Sequence, residues 1–201
     1  MTKLLLIMSF LIVNYWAEAQ IFSDKALTQA VVQLNASKTA NDYDNLFNKF
    51  SGAKTSDTWP SNYYAAVALY LKNETLLKKS SGASLMDDNA LARKIATGVW
   101  TAQRDNAEIN ILLGLLYIQK MQIDNSQSQP DQNIISQSIA KAEANAVNNP
   151  RLTVLQAKIK EKSGDKSNAD ILYRKALNEF SNPSSSDSKS PTWGKQLIPF
   201  Q

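Results

Sequence analysis

From Ser23 onward, apolar side chains return every three or four positions: Leu27, Val31 and Leu34, then Leu46, Phe47 and Phe50, then Tyr63, Ala66, Val67 and Tyr70. That spacing places them on one side of an α-helix, and no stretch keeps up the apolar-polar alternation of a half-buried strand. The pattern predicts eight helices, at about 23–36, 41–51, 60–72, 87–102, 106–122, 132–148, 151–162 and 166–180. The breaks have local causes. Gly52 with Lys54 to Thr58, Ser80 to Ser84 around Gly82, the polar run before Asp131, Asn148-Asn149-Pro150 and Ser163-Gly164 each interrupt the period. Pro60 and Pro150 fall at helix starts, where a missing N–H leaves no bond unmade. The fifth helix, AEINILLGLLYIQKMQI, is apolar on nearly every side, so it is expected between layers.

Eight helices with short breaks suggest helix pairs. In GDKSNADILYRKAL, the residues Gly164, Asp165, Ala169, Tyr173, Lys175, Ala176 and Leu177 resemble the second helix of a tetratricopeptide repeat (TPR), in which small residues let two helices approach and an aromatic fills the gap. A weaker copy runs through Asp42-Tyr43, Phe50 and Ala53, with Trp59 opening the next unit. Leu113-Gly114 and Tyr117 resemble the first-helix signature, with Ala140 and Ala144 on the following helix and Pro150 closing the unit. The chain departs from the pattern at Gln156, where a glycine is expected, and in the inserted loop DNSQSQPD. Over most of residues 40–195 it resembles a group of exported TPR-like proteins of Bacteroidetes bacteria, through NDYDNLFNKF, WPSNYYAAVALY, NNPRL and the tail SPTWGK. The resemblance implies an all-α, helical-repeat (TPR-like) solenoid of about four antiparallel helix pairs and an exported protein. It brings no catalytic residues.

The first residues agree with export. Lys3 precedes an apolar run from Leu4 to Val13, and Ala17-Glu18-Ala19 fits a signal-peptidase site, so residues 1–19 are expected to be a signal peptide. The run is too short to span a membrane, and stable membrane insertion is not expected once the leader is removed. The remaining chain divides into a helical domain at 20–181 and a Ser/Pro-rich tail at 182–201. Its net charge stays at +4, because the leader contains one lysine and one glutamate. There is no Cys, so packing alone must hold an exported fold.

Without Cys or His, a thiol nucleophile, a Ser-His-Asp relay and the usual zinc or haem ligands are excluded. Carboxylate pairs are the remaining candidates. Asp87 and Asp88 are adjacent and point apart on a helix, and Glu161 with Asp165 sits at a helix end, so both read as terminal charge clusters. The loop Asp124 to Asn133 lacks the glycine and glutamate of a calcium loop, since Gln129 and Ile135 occupy those positions. No glycine-rich phosphate loop occurs. Two sequons, at Asn35 and Asn73, would matter only in a glycosylating pathway. No catalytic, metal or cofactor site is therefore expected.

Function is then expected of the surface. Lys158, Lys160, Lys162 and Lys166 make the last helices basic, but the modest charge, few arginines and export argue against nucleic acid. The expected function is a scaffold or binding module for a protein or peptide partner in the cell envelope, on a concave face formed by the first helix of each pair. Tyr63, Tyr70, Gln119 and Lys160 are the groove candidates. The alternatives are a self-associating envelope subunit, or a carboxylate-dependent helical hydrolase with Glu108 as its acid. The tail adds one further expectation. A polar linker ending in Trp193, Leu197, Ile198 and Phe200 should dock, on its own last helix pair or on another chain.

Overall fold

The structure is a computed structural model that describes residues 22, 24–55, 58–79, 85–146, 148–182 and 191–200. The expected leader, the break at Ser80 to Ser84 and the tail from residue 183 to residue 190 lie outside the described residues.

Six of the eight helices among the described residues begin at a side-chain cap that the sequence supplies. Asp24 accepts the Ala26 N–H at 2.7 Å and opens α1 (Lys25–Ala36). Thr39 and Asp42 form a reciprocal capping box at the start of α2 (Ala40–Ser51). Helices α3 (Thr58–Lys78) and α4 (Leu85–Ala102) follow. Asn106 caps α5 (Ala107–Ile123), Ser128 caps α6 (Gln129–Asn145) and Asn149 caps α7 (Pro150–Lys162). Asp165 caps α8 (Lys166–Ser181), and a 3-10 turn, Lys195–Leu197, ends the ordered elements.

The fold is all-α, and each helix packs on the next in sequence, from α1 on α2 to α7 on α8. Helices α1, α3, α5 and α7 also meet their neighbours two along, as the first helices of stacked pairs do. The eight helices among the described residues thus form a helical-repeat arrangement of four pairs. None of them is long and apolar enough to cross a membrane.

Two helices occupy the middle. α5 is buried from Ile109 to Leu116, as its all-round apolar sequence predicts. α3 is buried from Tyr63 to Leu71 as well, and it continues to Lys78, six residues past its expected end, because Asn73 and Glu74 are covered by other helices. α5 meets α7 tightly at Gly114, where a Cβ would stand 2.7 Å from Leu155 Cδ2. In α8, Ala169, Tyr173 and Ala176 are buried, as the repeat pattern predicts.

α6 corrects that pattern. It starts three residues earlier than expected, with Pro130 in its first turn, and it ends at Asn145. Ile135, Ser138 and Ala142 face the core, while Ala140 and Ala144 are exposed. The expected small-residue positions are therefore displaced by two residues, which on a helix turns them away from the partner.

Candidate functional site

The face carried by α3, α5 and α7 holds a buried polar cluster. On α7, Arg151 is 2% exposed, and its guanidinium grips both oxygens of Glu108 on α5, Nε to Oε2 at 2.8 Å and Nη2 to Oε1 at 2.6 Å. Asn149, which caps α7, donates to Glu108 Oε1 at 2.5 Å, and the Tyr63 hydroxyl on α3 donates to Oε2 at 3.1 Å. Burial alone would disfavour charge on Arg151, but Glu108 more than compensates and raises its pKa. The Tyr63 hydroxyl is pushed well above the ordinary phenol value, by burial first and then by the Glu108 charge.

The chain's own C-terminal segment lies on this cluster. The remaining Arg151 nitrogen donates to the main-chain carbonyls of Pro191 and, at 3.3 Å, of Trp193. Trp193 is fully buried, and its indole N–H donates to Tyr63 at 2.9 Å. Its ring lies 6.5 Å from that of Tyr63 and 6.3 Å from that of Tyr70. Beyond it, Leu197 and Ile198 are buried, and Phe200 meets Tyr173 of α8 edge-on. Asn35 of α1 donates to Thr192 Oγ1 at 2.7 Å. The segment thus crosses from α1 over α3 and α7 to α8, well beyond the last helix pair.

A second polar cluster lies further along the same helices. Lys158 and Glu74, both nearly buried, pair at 2.7 Å. Gln119 Nε2 donates to Glu74 Oε1 at 2.8 Å and to the Tyr70 carbonyl at 3.1 Å, while its oxygen accepts from Asn89 at 3.1 Å. Where this cluster reaches the surface, a cavity of about 370 Å³ opens between Glu74, Lys158, Glu161, Tyr173 and the segment's Leu197 and Pro199.

The four groove candidates therefore occupy different places. Tyr63 and Tyr70 lie beneath Trp193, Gln119 is interior, and Lys160 is exposed at the α7–α8 turn, 3.5 Å from Asp165. Arg151 is not among the groove candidates, and Trp193 enters the sequence reading only as part of the apolar terminus expected to dock. Glu108 is Arg151's counter-ion. Asp88 joins Asp44 on Lys72, at 2.9 and 2.7 Å, and ties α4 to α2 through α3. In the loop after α5, Lys120 bridges Asp124 and Asp131. The lysines of the basic region diverge: Lys158 is buried, and Lys162 donates to the Met121 carbonyl at 3.1 Å. Asn73 is buried and donates to the Leu85 carbonyl at 2.9 Å, so its sequon is inaccessible in the folded chain. Among the described residues, no three acidic or other ligating side chains converge in a metal-binding group.

Comparison with known protein families, with characterised proteins and with solved structures finds no match.

Proposed function

We propose that this chain is an exported TPR-like binding module whose inner face, lined by α3, α5 and α7, holds an extended polypeptide segment of a protein partner. The observation that supports the reading is the manner in which Pro191 to Phe200 lies there. Arg151 contacts two of its main-chain carbonyls, an aromatic pocket takes one side chain, and the segment crosses several helix pairs. Repeat folds offer such faces to extended chains, and main-chain contacts supply affinity while pockets supply specificity. Export rests on the order of positive charge, apolar run and small-x-small site in residues 1–19.

The test is co-purification from the cell envelope with the full chain as bait. Lys78→Ala and Gln122→Ala, at the exposed edge of the cavity beside the C-terminal segment, are compared with Val32→Ala and Ile171→Ala, which stand in solvent elsewhere. A partner lost with the first two and retained with the second two supports the reading. A partner indifferent to all four, or lost only with the outer pair, contradicts it.

A further inference from the structure

We infer that the inner face is a sequence-specific receptor for a Trp-Gly segment, whose occupant is this chain's own Trp193-Gly194, bound in trans from a second copy as well as in cis. The inference deepens the peptide-binding reading and rests on it.

Three features of the receptor read three features of the ligand. The indole is read as an indole, because its N–H meets the Tyr63 hydroxyl at 2.9 Å in a fully buried pocket. Phenylalanine or leucine would fill part of that volume but leave the buried phenol oxygen without its donor, which is how polar pockets discriminate. The glycine is read twice. Gly194 has φ +113°, and a Cβ there would lie 2.8 Å from Arg151 Cγ and 3.0 Å from Phe180 Cζ. Arg151 cannot step aside, since both Glu108 oxygens hold it. The register is set by Arg151 donating to the carbonyls of Pro191 and Trp193. Further along, Leu197 and Ile198 add buried apolar surface.

The receptor's polar groups are supplied entirely by the helices and are oriented by one another: Glu108 holds Arg151, Asn149 holds Glu108, and Tyr63 donates to Glu108. With the ligand absent, the Arg151 nitrogen and the Tyr63 oxygen would each lose a protein partner, so the site is built to be filled. A short tether gives the chain's own segment an effective concentration on the order of millimolar, so a free peptide competes poorly until the tether is opened.

The experiment therefore opens the tether in the full chain. A protease recognition sequence replaces Ser184 to Asp187, and a fluorescent peptide spanning Ser190 to Gln201 is added before and after cleavage. Anisotropy is expected to stay low before cleavage and to rise after it, as labelled peptide exchanges for the cleaved segment. Peptides with Gly194→Ala or Trp193→Leu should compete at least about tenfold less well. If they compete equally, the motif reading is overturned while a peptide-binding face survives. If no peptide binds and the helical signal is unchanged, both fall. Should cleavage unfold the chain, recovery of helical signal with the native peptide and not with the Gly194→Ala peptide supports the inference, and no recovery overturns it. A dimer that exchanges segments between copies also supports it, because the occupant carries the same motif.

Discussion

The indole N–H of Trp193 donates at 2.9 Å to the hydroxyl of Tyr63, 130 positions away in sequence, and the same hydroxyl donates to Glu108 at 3.1 Å, so one phenol on α3 joins the chain's C-terminal segment to α5. Its neighbour Tyr64 is equally buried among Phe22 and Phe50, yet its hydroxyl has no hydrogen-bond partner among the described residues. The two rings should therefore respond oppositely to loss of the oxygen. Tyr63→Phe leaves the buried Trp193 N–H without its acceptor and takes one of several donors from the partly buried Glu108, and should cost about 1–3 kcal/mol. Tyr64→Phe should stay within about 0.5 kcal/mol or stabilise the fold. Urea unfolding of the two variants decides it, and equal losses would contradict the network.

Gly194 and Arg151 should be linked in the same way. Gly194→Ala puts an L side chain at a left-handed φ against Arg151, at a cost of about 1–3 kcal/mol. Arg151→Met leaves Glu108 partly buried without its cation and should cost about 3–5 kcal/mol. Both variants should also shift tryptophan emission to the red at temperatures where far-ultraviolet ellipticity is unchanged, since Trp193 is the fully buried indole they release. Emission that stays blue until the helices melt would show that the indole does not depend on this contact.

The last helix pair offers a packing test. Ala169 and Ala176 are buried on α8, whereas Asn168, one position round, is exposed. Ala169→Leu or Ala176→Leu should destabilise by about 1–3 kcal/mol through overpacking. Asn168→Leu should change stability by less than about 0.5 kcal/mol. Equal urea midpoints for all three would mean that the two alanines are not the points of close approach.

How far the sequence foretold this molecule depended on how local each cause was. Helix positions were legible because period, caps and prolines act within a few residues: Asp24, Thr39, Asn106, Asn149 and Asp165 all cap where the polar residue precedes the apolar run. The burial of α5 was legible from its apolar composition. That of α3 was not: Tyr63 and Tyr70 are expected on an open groove and Asn73 and Glu74 beyond the helix end, and only the C-terminal segment and Lys158 bury this face. The register of α6 was misread for a similar reason: alanines recur along it, and only the contacts with α5 choose Ala142 over Ala140 and Ala144. The apolar tail announced that it would dock, but its place depended on Arg151, which sequence shows only as one more charge.

Alkaline pH should expose the burial of the tyrosines. Burial is the leading cause that raises the hydroxyl pKa of Tyr63, Tyr64, Tyr70 and Tyr173 above the ordinary value of about 10. Their folded values exceed their unfolded ones, so the stability they contribute is fully present below about pH 10 and is lost as pH rises further. Of the seven tyrosines in the sequence, these four should form phenolate only as helical signal disappears. Seven phenolates by absorbance with ellipticity intact would contradict their burial.

The most direct measurement asks where the C-terminal segment lies. The chain has no cysteine, so a pair introduced as Asn35→Cys and Thr192→Cys has no competitor, and these two side chains already meet at 2.7 Å where the segment passes α1. Under mild oxidation, with the products separated by size without reductant, the account predicts an intramolecular disulfide in the monomer that Trp193→Ala in the same chain diminishes. Free thiols throughout, or a disulfide found only between chains, would contradict a segment held on its own inner face.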